Sequence, residues 1–494
     1  MEKTCSIKWM HIAFIITVSL IYCICSIIVL NPDSDAYFLI ANGKYIMENH
    51  AVPKINPWVI HDNFNVIVQQ PLCSILNYIF YNWKGTVGIC ILAFIFAVIR
   101  NVITFKYITM FCKSKLLIVI LQCLSNVVII TGFSTRPYQL TLSIILLEYI
   151  TLYMFYIQNE LSKKQIITFI LTMCFYSLFI ANFQSSMLLM LVIIMLPFIV
   201  PAVWNTKIAK YYKKNIYIMI ITIPLMVITS LINPNGLDGT LYLVKSQEML
   251  KSGISIQECM SPSFKSFYGI LIILNIVLIT YYIVNKKKES NSILVYTTLG
   301  LIFMSCVYVR NIQYLLIPLV QLTSLVLDRK AISIENDKTY KLNAILIGTV
   351  YVVIALLTSI LILTKTVQDG LDKREYEQPD AIEYLDKFDK NDITLFTDFN
   401  SGNLFEMHGY KVYIDARPEL YMKEVNNKED VLDEYVKLIN GKLDMNDFVK
   451  KYQFTHLDVI RNTLFDNYLY YSDDYKLVYE NNSYRLYESK TFTK

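Results

Sequence analysis

Charged side chains are scarce in this sequence. They make up 17% of its 494 residues, whereas soluble domains carry about a quarter. Up to about residue 365, apolar runs alternate with short polar loops, and from Gln368 to Lys494 the chain reads as a charged, Tyr-rich globular domain. The contrast excludes a wholly soluble protein and predicts a membrane region followed by a soluble domain.

Several motifs that mark well-known sites are also missing. The sequence has no Gly-rich phosphate loop, HExxH zinc motif, nucleophile elbow or Cys/His cluster. Most of its ten cysteines stand in or beside apolar segments, where cysteine behaves as a small hydrophobic residue. The net charge of +5 is too small to predict a nucleic-acid partner. Neither a disulfide framework nor a zinc site is therefore expected.

The apolar runs predict a mainly α, polytopic membrane domain with about eleven transmembrane helices. Each helix needs about 20 predominantly apolar residues to cross a hydrocarbon core about 30 Å thick. The runs of that length are 9–30, 86–110, 116–133, 138–157, 165–182, 185–203, 215–232, 267–285, 292–309, 312–327 and 343–364. Lysine and arginine are concentrated in alternate loops, which the positive-inside rule places in the cytoplasm together with the N-terminus. An odd number of spans then puts the C-terminal domain outside.

This topology predicts two domains and two long outer loops. The membrane domain covers residues 1–366 and an extracytoplasmic α/β domain covers 367–494, where helical and strand patterns mix. The outer loops at 31–85 and 233–266 are too long to be simple connectors. In the first, Asp35 can cap a helix that runs to about Met47. Residues 71–82 in the same loop predict a helix that lies in the membrane interface.

The polar residues that interrupt the apolar runs collect on the outer side. They are Asp33, Asp35, Arg136, Asn182, Gln184, Asn233, Glu258, Arg310 and Asn311. Each alone has an ordinary structural interpretation as a cap, a turn or an interfacial arginine. An arginine near membrane depth costs about 2.5–3.5 kcal/mol, however, so such residues usually face partners or a cavity. Together they predict one outer site for an anionic amphiphile, with arginines on phosphate and a carboxylate as base.

At these positions the chain resembles the GT-C superfamily of membrane glycosyltransferases, specifically its functionally uncharacterised bacterial members. The family's first outer loop carries an acidic pair followed by a Gly-Arg pair, and the counterparts here are Asp33, Asp35, Gly43 and Lys44. The stretch LFTDFNSGNLFEMHGYKVYIDARPELY is similar to the family's downstream signature at Gly402, Asp415, Arg417 and Tyr421. The resemblance spans nearly the whole chain and rests on the order and spacing of its motifs.

The resemblance implies transfer of a sugar from a polyprenyl-phosphate donor to an acceptor outside the bacterial plasma membrane, a glycan, lipid or protein of the envelope. It makes Asp33 or Asp35 the catalytic base, with Arg136 and Arg310 on the donor phosphate. Glu258 would position the acceptor or help to bind a divalent cation, but two acids alone define no metal site and no cofactor is assigned. The substrate-binding positions it implies are Arg136, Asn182, Gln184, Asn233, Glu258, Arg310 and Asn311.

Two alternatives stay open at this point. A transporter or flippase for a lipid-linked sugar would use the same arginines without chemistry. A non-catalytic envelope scaffold would bind a polymer or a partner enzyme through its outer domain, in which Asp415 and Arg417 are expected to form an internal ion pair. The family often has His-Glu where this chain has Gln69-Gln70, and it usually has a histidine where Gln184 stands. Two possible proton carriers are therefore missing.

Overall fold

The structure of this chain is a computed structural model. It describes residues 34–129, 135–158, 160–204, 206–243, 260–285, 291–335 and 378–492. The predicted first and last spans, as well as Asp33 and Glu258, lie outside the described residues.

The described part of the chain between residues 34 and 335 is helical. Its helices are α1 Ser34–Asn49, α2 Pro71–Phe111, α3 Lys115–Ile129, α4 Tyr138–Tyr156, α5 Lys163–Phe183, α6 Leu188–Trp204, α7 Thr206–Ser230, α8 Gly236–Thr240, α9 Phe267–Asn285, α10 Ser292–Val307 and α11 Leu316–Glu335. Among the described residues, six helical stretches are long and apolar enough to cross a membrane, and three shorter helices are also apolar. Each predicted span from 86–110 to 312–327 coincides with one of these nine stretches. The total of eleven stays a prediction.

Helix α2 contains a sharp break before its membrane-spanning part. Gly85 has a φ of +56° and a ψ of −138°, and Lys84 before it is also non-helical. This backbone region is open essentially to glycine alone. The predicted helix at 71–82 is therefore a separate helical segment that ends at a kink before the second span. Its position in the membrane interface stays a prediction.

Helices α1 and α2 pack so closely that a side chain at Gly43 would not fit. A Cβ atom there would lie 2.1 Å from the carbonyl oxygen of Ser74 and 2.7 Å from the Cβ of Tyr78. Atoms of the backbone cannot move aside as the end of a flexible side chain does. Gly43 thus sets the distance between the helix that carries Asp35 and the 71–82 segment.

We expect Gly43→Ala to destabilise the protein by about 1–3 kcal/mol, the usual cost of overpacking a tight contact. Thermal unfolding of the full chain in detergent measures the change. Gly300→Ala is the matched control, because a Cβ there meets nothing within 4 Å and alanine is the better helix former. Equal melting temperatures for the two variants would contradict the close contact at Gly43.

The lysines and arginines whose distribution predicts a cytoplasmic N-terminus include Arg100, which the structure encloses among helices. Arg100 lies within α2 and is fully buried. Its guanidinium donates to Asn126 Oδ1 at 2.5 Å and to Gln139 Oε1 at 3.2 Å. Arg100 thus links α2, α3 and α4 by hydrogen bonds. It is not a loop cation and does not support the predicted orientation in the membrane.

The C-terminal region forms a small sheet with helices around it. The strands are β1 Leu395–Phe396, β2 His456–Ile460, β3 Tyr475–Glu480 and β4 Tyr484–Ser489, in the order β1-β2-β4-β3. Strands β1 and β2 are parallel, and the other two pairs are antiparallel. The helices are α12 Pro379–Leu385, α13 Gly402–Met407, α14 Lys423–Asn426, α15 Val431–Ile439, α16 Met445–Tyr452 and α17 Leu464–Tyr470. The predicted α/β character of this region is confirmed.

The first outer loop completes the core of this C-terminal unit. Val412 donates its amide to the Trp58 carbonyl at 2.8 Å and accepts the Ile60 amide at 3.0 Å. His61 Nε2 lies 2.7 Å from the Tyr413 carbonyl, and burial lowers the pKa of His61 to about 4, so a neutral imidazole donates this bond. Apolar side chains of the loop share one hydrophobic cluster with the C-terminal residues. The loop and the C-terminal region are therefore one packed body.

A buried carboxyl group lies at the centre of the C-terminal unit. Asp458, on β2, is fully buried, and its Oδ2 accepts from the Ser401 hydroxyl at 2.6 Å and the Gln378 amide at 3.2 Å. Burial raises the pKa of Asp458 to about 7. The folded protein therefore keeps a proton that the unfolded chain releases above about pH 4.

Stability that Asp458 contributes at low pH should accordingly be lost as the pH rises from about 4 to about 7. The variant Asp458→Asn keeps the protonated shape at every pH. We expect its free energy of unfolding, relative to wild type, to rise by on the order of 4 kcal/mol across that window. Chemical denaturation of the full chain at a series of pH values measures the difference. Asp473→Asn, at an exposed position, serves as the control. If the difference in free energy of unfolding between Asp458→Asn and wild type does not change with pH, the buried proton is refuted.

Candidate functional site

The predicted base and the predicted phosphate ligand form an ion pair. Asp35 Oδ2 lies 2.9 Å from Arg136 Nη2, and the two side chains are 22% and 19% exposed. Asp35 stands in the first turn of α1 rather than before it, where the helix dipole favours an anion. Arg136 immediately precedes Pro137 and α4. Both groups are thus fixed at helix beginnings and remain partly accessible to a ligand.

Helix α1 is held from two sides, which fixes the direction of Asp35. Tyr37 belongs to a hydrophobic cluster with Leu404 and Phe405 of the C-terminal unit. Phe38 packs instead in a cluster with Phe183 and other side chains of the membrane helices. The helix that bears the candidate base is therefore a layer between the two parts of the protein.

Gln184 is hydrogen-bonded to the first turn of α4, the helix that follows Arg136. Its Oε1 accepts from the Thr141 hydroxyl at 2.7 Å, one helical turn beyond Arg136-Pro137. The next residue, Ser185, donates its amide to the Gln69 carbonyl at 3.1 Å. The segments that carry Gln69 and Gln184 are therefore neighbours in space.

Three of the other predicted substrate ligands use their amides within the protein. Asn182 donates to the Ile232 carbonyl at 2.8 Å and joins the ends of α5 and α7. Asn233 donates to the carbonyls of Ser230 and Gly236 at 2.7 and 2.9 Å. Asn311 is buried and donates to the Met304 carbonyl at 3.1 Å. Their observed contacts shape the outer turns, and a role in binding substrate stays a prediction.

Arg310 is exposed and does not join the acidic pair. Its guanidinium carbon lies 5.6 Å from the centre of the Tyr308 ring. Within the described ranges it makes no hydrogen bond or ion pair with Asp35 or Arg136. The structure thus pairs Asp35 with Arg136, bonds Gln184 to the first turn of the helix that follows Arg136, and leaves Arg310 as a separate surface cation.

A buried charge network next to α1 was only partly expected. Arg417 Nη2 lies 2.6 Å from Asp415 Oδ2, which confirms the predicted internal ion pair, and also 2.6 Å from Glu406 Oε2. Its guanidinium carbon lies 5.1 Å from the centre of the Phe38 ring and 5.8 Å from that of Trp58. The sequence motif marks Arg417 but does not indicate Glu406 as its partner. It gives no signal for the two rings either, because they belong to a distant segment of the chain.

A cavity of about 20 Å³ separates α1 from the Arg417 segment. This volume holds about one water molecule. Glu419 and Tyr242 line it and are hydrogen-bonded to each other, and burial raises the pKa of Glu419. Side-chain oxygens of Asn42, Gln69 and Gln70 also lie at this cavity and have no hydrogen-bond partner among the described residues. Polar and apolar side chains both line this cavity, which adjoins α1 at Phe38 and Asn42.

The described residues contain no group of three or more His, Cys, Asp or Glu side chains placed to hold a metal ion. Asp33 and Glu258, which entered the expectation of a divalent cation, lie outside those residues. The cation therefore stays an untested expectation.

Comparison with known proteins gives no match to any family profile or curated sequence, but solved structures do match. ArnT from Cupriavidus metallidurans is similar over 98% of both chains, with a TM-score of 0.55 and 11% identity. The oligosaccharyltransferase AglB from Archaeoglobus fulgidus, solved with an inhibitory peptide and a dolichol-phosphate, is similar over 92% of this chain and 69% of its own, with a TM-score of 0.51 and 13% identity. Both are GT-C membrane glycosyltransferases. The chain has the GT-C fold.

The GT-C fold confirms the fold class expected from the sequence. The protein is a multi-pass membrane protein with a helical membrane region and a C-terminal unit that contains a small sheet. Within this GT-C fold, the Asp35–Arg136 pair lies where the first outer loop meets the helices.

Proposed function

We propose that this protein is a membrane glycosyltransferase that moves a sugar from a polyprenyl-phosphate donor to an acceptor of the bacterial cell envelope. The Asp35–Arg136 ion pair carries the proposal. Sugar transfer from a lipid phosphate needs a base for the acceptor hydroxyl and a cation for the phosphate that leaves. The GT-C fold and the dolichol-phosphate in AglB support this class of donor.

In the free protein, Asp35 and Arg136 neutralise each other. A donor phosphate would compete for the Arg136 guanidinium, which binds phosphate with two parallel hydrogen bonds. The Asp35 carboxylate would then be released toward the acceptor. Donor binding would in this way prepare the base, so that the two substrates are used in order.

The transfer step follows from these positions. Asp35 must come within about 3.2 Å of the acceptor hydroxyl to take its proton. The hydroxyl oxygen forms a bond to the anomeric carbon as the bond from that carbon to the phosphate oxygen breaks. Polyprenyl phosphate leaves with the electron pair of the broken bond, Arg136 stabilises its charge, and the configuration at the anomeric carbon inverts.

We place this site on the outer face of the bacterial plasma membrane, with the N-terminus in the cytoplasm, on the basis of the lysine and arginine distribution. Asp33 is the alternative base. Arg310, as a second phosphate ligand, would have to contact the donor from its separate position.

Turnover by the purified protein tests the proposal. The full chain in detergent is incubated with a panel of polyprenyl-phosphate sugars labelled in the sugar, and release of polyprenyl phosphate or a labelled product is followed. Wild-type turnover that the Asp35→Asn and Asp33→Asn double variant lacks supports the transferase. Donor binding without turnover across the panel would overturn it in favour of a transporter or an envelope scaffold.

A further inference from the structure

We infer that Arg417 of the C-terminal unit is a positioning residue for the candidate base Asp35. The inference rests on the proposed function, since it concerns the geometry of that same site. The C-terminal unit would then contribute to sugar transfer by orienting Asp35, while Arg417 itself does not touch the reacting atoms.

The Arg417 guanidinium is fixed in orientation by two carboxylates. Asp415 accepts from its Nε at 3.0 Å and from its Nη2 at 2.6 Å. Glu406 accepts from Nη2 through both of its oxygens, at 2.7 and 2.6 Å. Tyr421 donates its hydroxyl to Asp415 at 2.6 Å. These bonds engage Nε and Nη2 and hold the plane of the guanidinium in one orientation.

One face of the guanidinium plane lies against the helix that carries Asp35. The guanidinium carbon is 5.1 Å from the centre of the Phe38 ring and 5.8 Å from that of Trp58. These distances fit cation–π contacts, which are strong when water is excluded. Phe38 stands three residues after Asp35, on the same side of α1. A shift of the guanidinium would therefore be transmitted to the base within one helical turn.

A second contact fixes the same segment to another outer loop. Glu419, two residues after Arg417, accepts a hydrogen bond from the hydroxyl of Tyr242. Buried ion networks are seldom better for stability than an apolar core of the same volume. This network holds Phe38 in one orientation. Such positioning is a role for the buried ions that packing alone would not require.

The test compares two arginine variants of the same unit. Lysine at 417 keeps the charge but loses the planar fork and the flat face, so we expect Arg417→Lys to lower kcat by about 10- to 100-fold. The KM for the donor should stay unchanged, because Arg136 still binds the phosphate. Arg485→Lys is the matched control: Arg485 also pairs with a buried carboxylate, Asp466, and lies over the Tyr470 ring at 4.8 Å. Its kcat should equal that of wild type.

A double variant separates positioning from a general loss of structure. If Arg417 acts through Phe38, then Phe38→Leu lowers kcat by itself, and adding Arg417→Lys causes little further loss. Independent, multiplying losses would overturn the inference, as would a wild-type kcat for Arg417→Lys.

Hydrogen exchange of the α1 amides, residues 34–49, gives a readout that needs no activity. Faster exchange there in Arg417→Lys but not in Arg485→Lys supports the positioning role, and equal exchange in both overturns it. Absence of turnover by wild-type protein refutes the proposed function separately.

Discussion

Asp35→Asn is expected to lower the rate of sugar transfer by about 100- to 10,000-fold, the range that a positioned general base contributes. Asparagine has the same shape and still accepts a hydrogen bond from Arg136, but it cannot take the acceptor proton. The pair is partly exposed, so the loss of its charge should cost at most about 1 kcal/mol of stability. Initial rates at saturating donor, together with a melting curve, separate the two effects.

The control for this variant is Asp62→Asn, an exposed acid of the same outer loop that should retain the wild-type rate. A wild-type rate for Asp35→Asn, with the loss appearing only in Asp33→Asn, would move the role of base to Asp33. Wild-type rates for both single variants and for the double variant would remove both acids from the mechanism.

Arg417→Met is expected to destabilise the folded protein by about 3–5 kcal/mol, because it leaves the Asp415 carboxylate, and the Glu406 side chain whose pKa burial already raises, buried without their cation. Burial opposes the charge on Asp415, yet Arg417 beside it holds the pKa of that carboxyl below its usual value. Removing the guanidinium takes this compensation away. Chemical denaturation of the full chain in detergent, followed by tyrosine and tryptophan fluorescence, measures the loss.

A variant that also removes the acidic groups shows whether charge or packing causes the loss of stability in Arg417→Met. The triple change Arg417→Met, Asp415→Asn, Glu406→Gln leaves no buried charge at this position, so most of the stability should return. Lowering the pH should also reduce the difference in free energy of unfolding between wild type and Arg417→Met, because carboxylates that have lost their cation can then take up protons. If the triple variant is as unstable as the single one, side-chain packing and not charge explains the loss.

Local patterns in the sequence were sufficient for the membrane helices. The apolar runs from 86–110 to 312–327 each coincide with a helix because a single physical requirement, length in hydrocarbon, fixes them. Gly85 separates the 71–82 segment from the second span, since few other residues adopt its backbone angles. The ion pair of Asp35 with Arg136 also follows the expectation that outer polar residues of opposite charge converge.

The remainder of the site depends on contacts that no local pattern contains. Trp58 and Val412 are hydrogen-bonded, but neither segment alone indicates the other. Glu406 belongs to a short helix with nothing in its spacing to predict Arg417 as its partner. Asn233 and Asn311, expected at the substrate, make their hydrogen bonds within nearby turns, because backbone carbonyls at a chain reversal also need donors.

The shared core of the first outer loop and the C-terminal unit sets the order in which the protein is completed during its synthesis. His61 and its partner Tyr413 are 352 residues apart. At about 5–20 residues per second, roughly 20–70 s pass between the synthesis of His61 and that of Tyr413, which packs against it. A nascent chain that ends before residue 378 lacks the C-terminal residues that pack against α1. The membrane helices are therefore synthesised first, and α1 with Asp35 gains its C-terminal contacts only when the last part of the chain has been made.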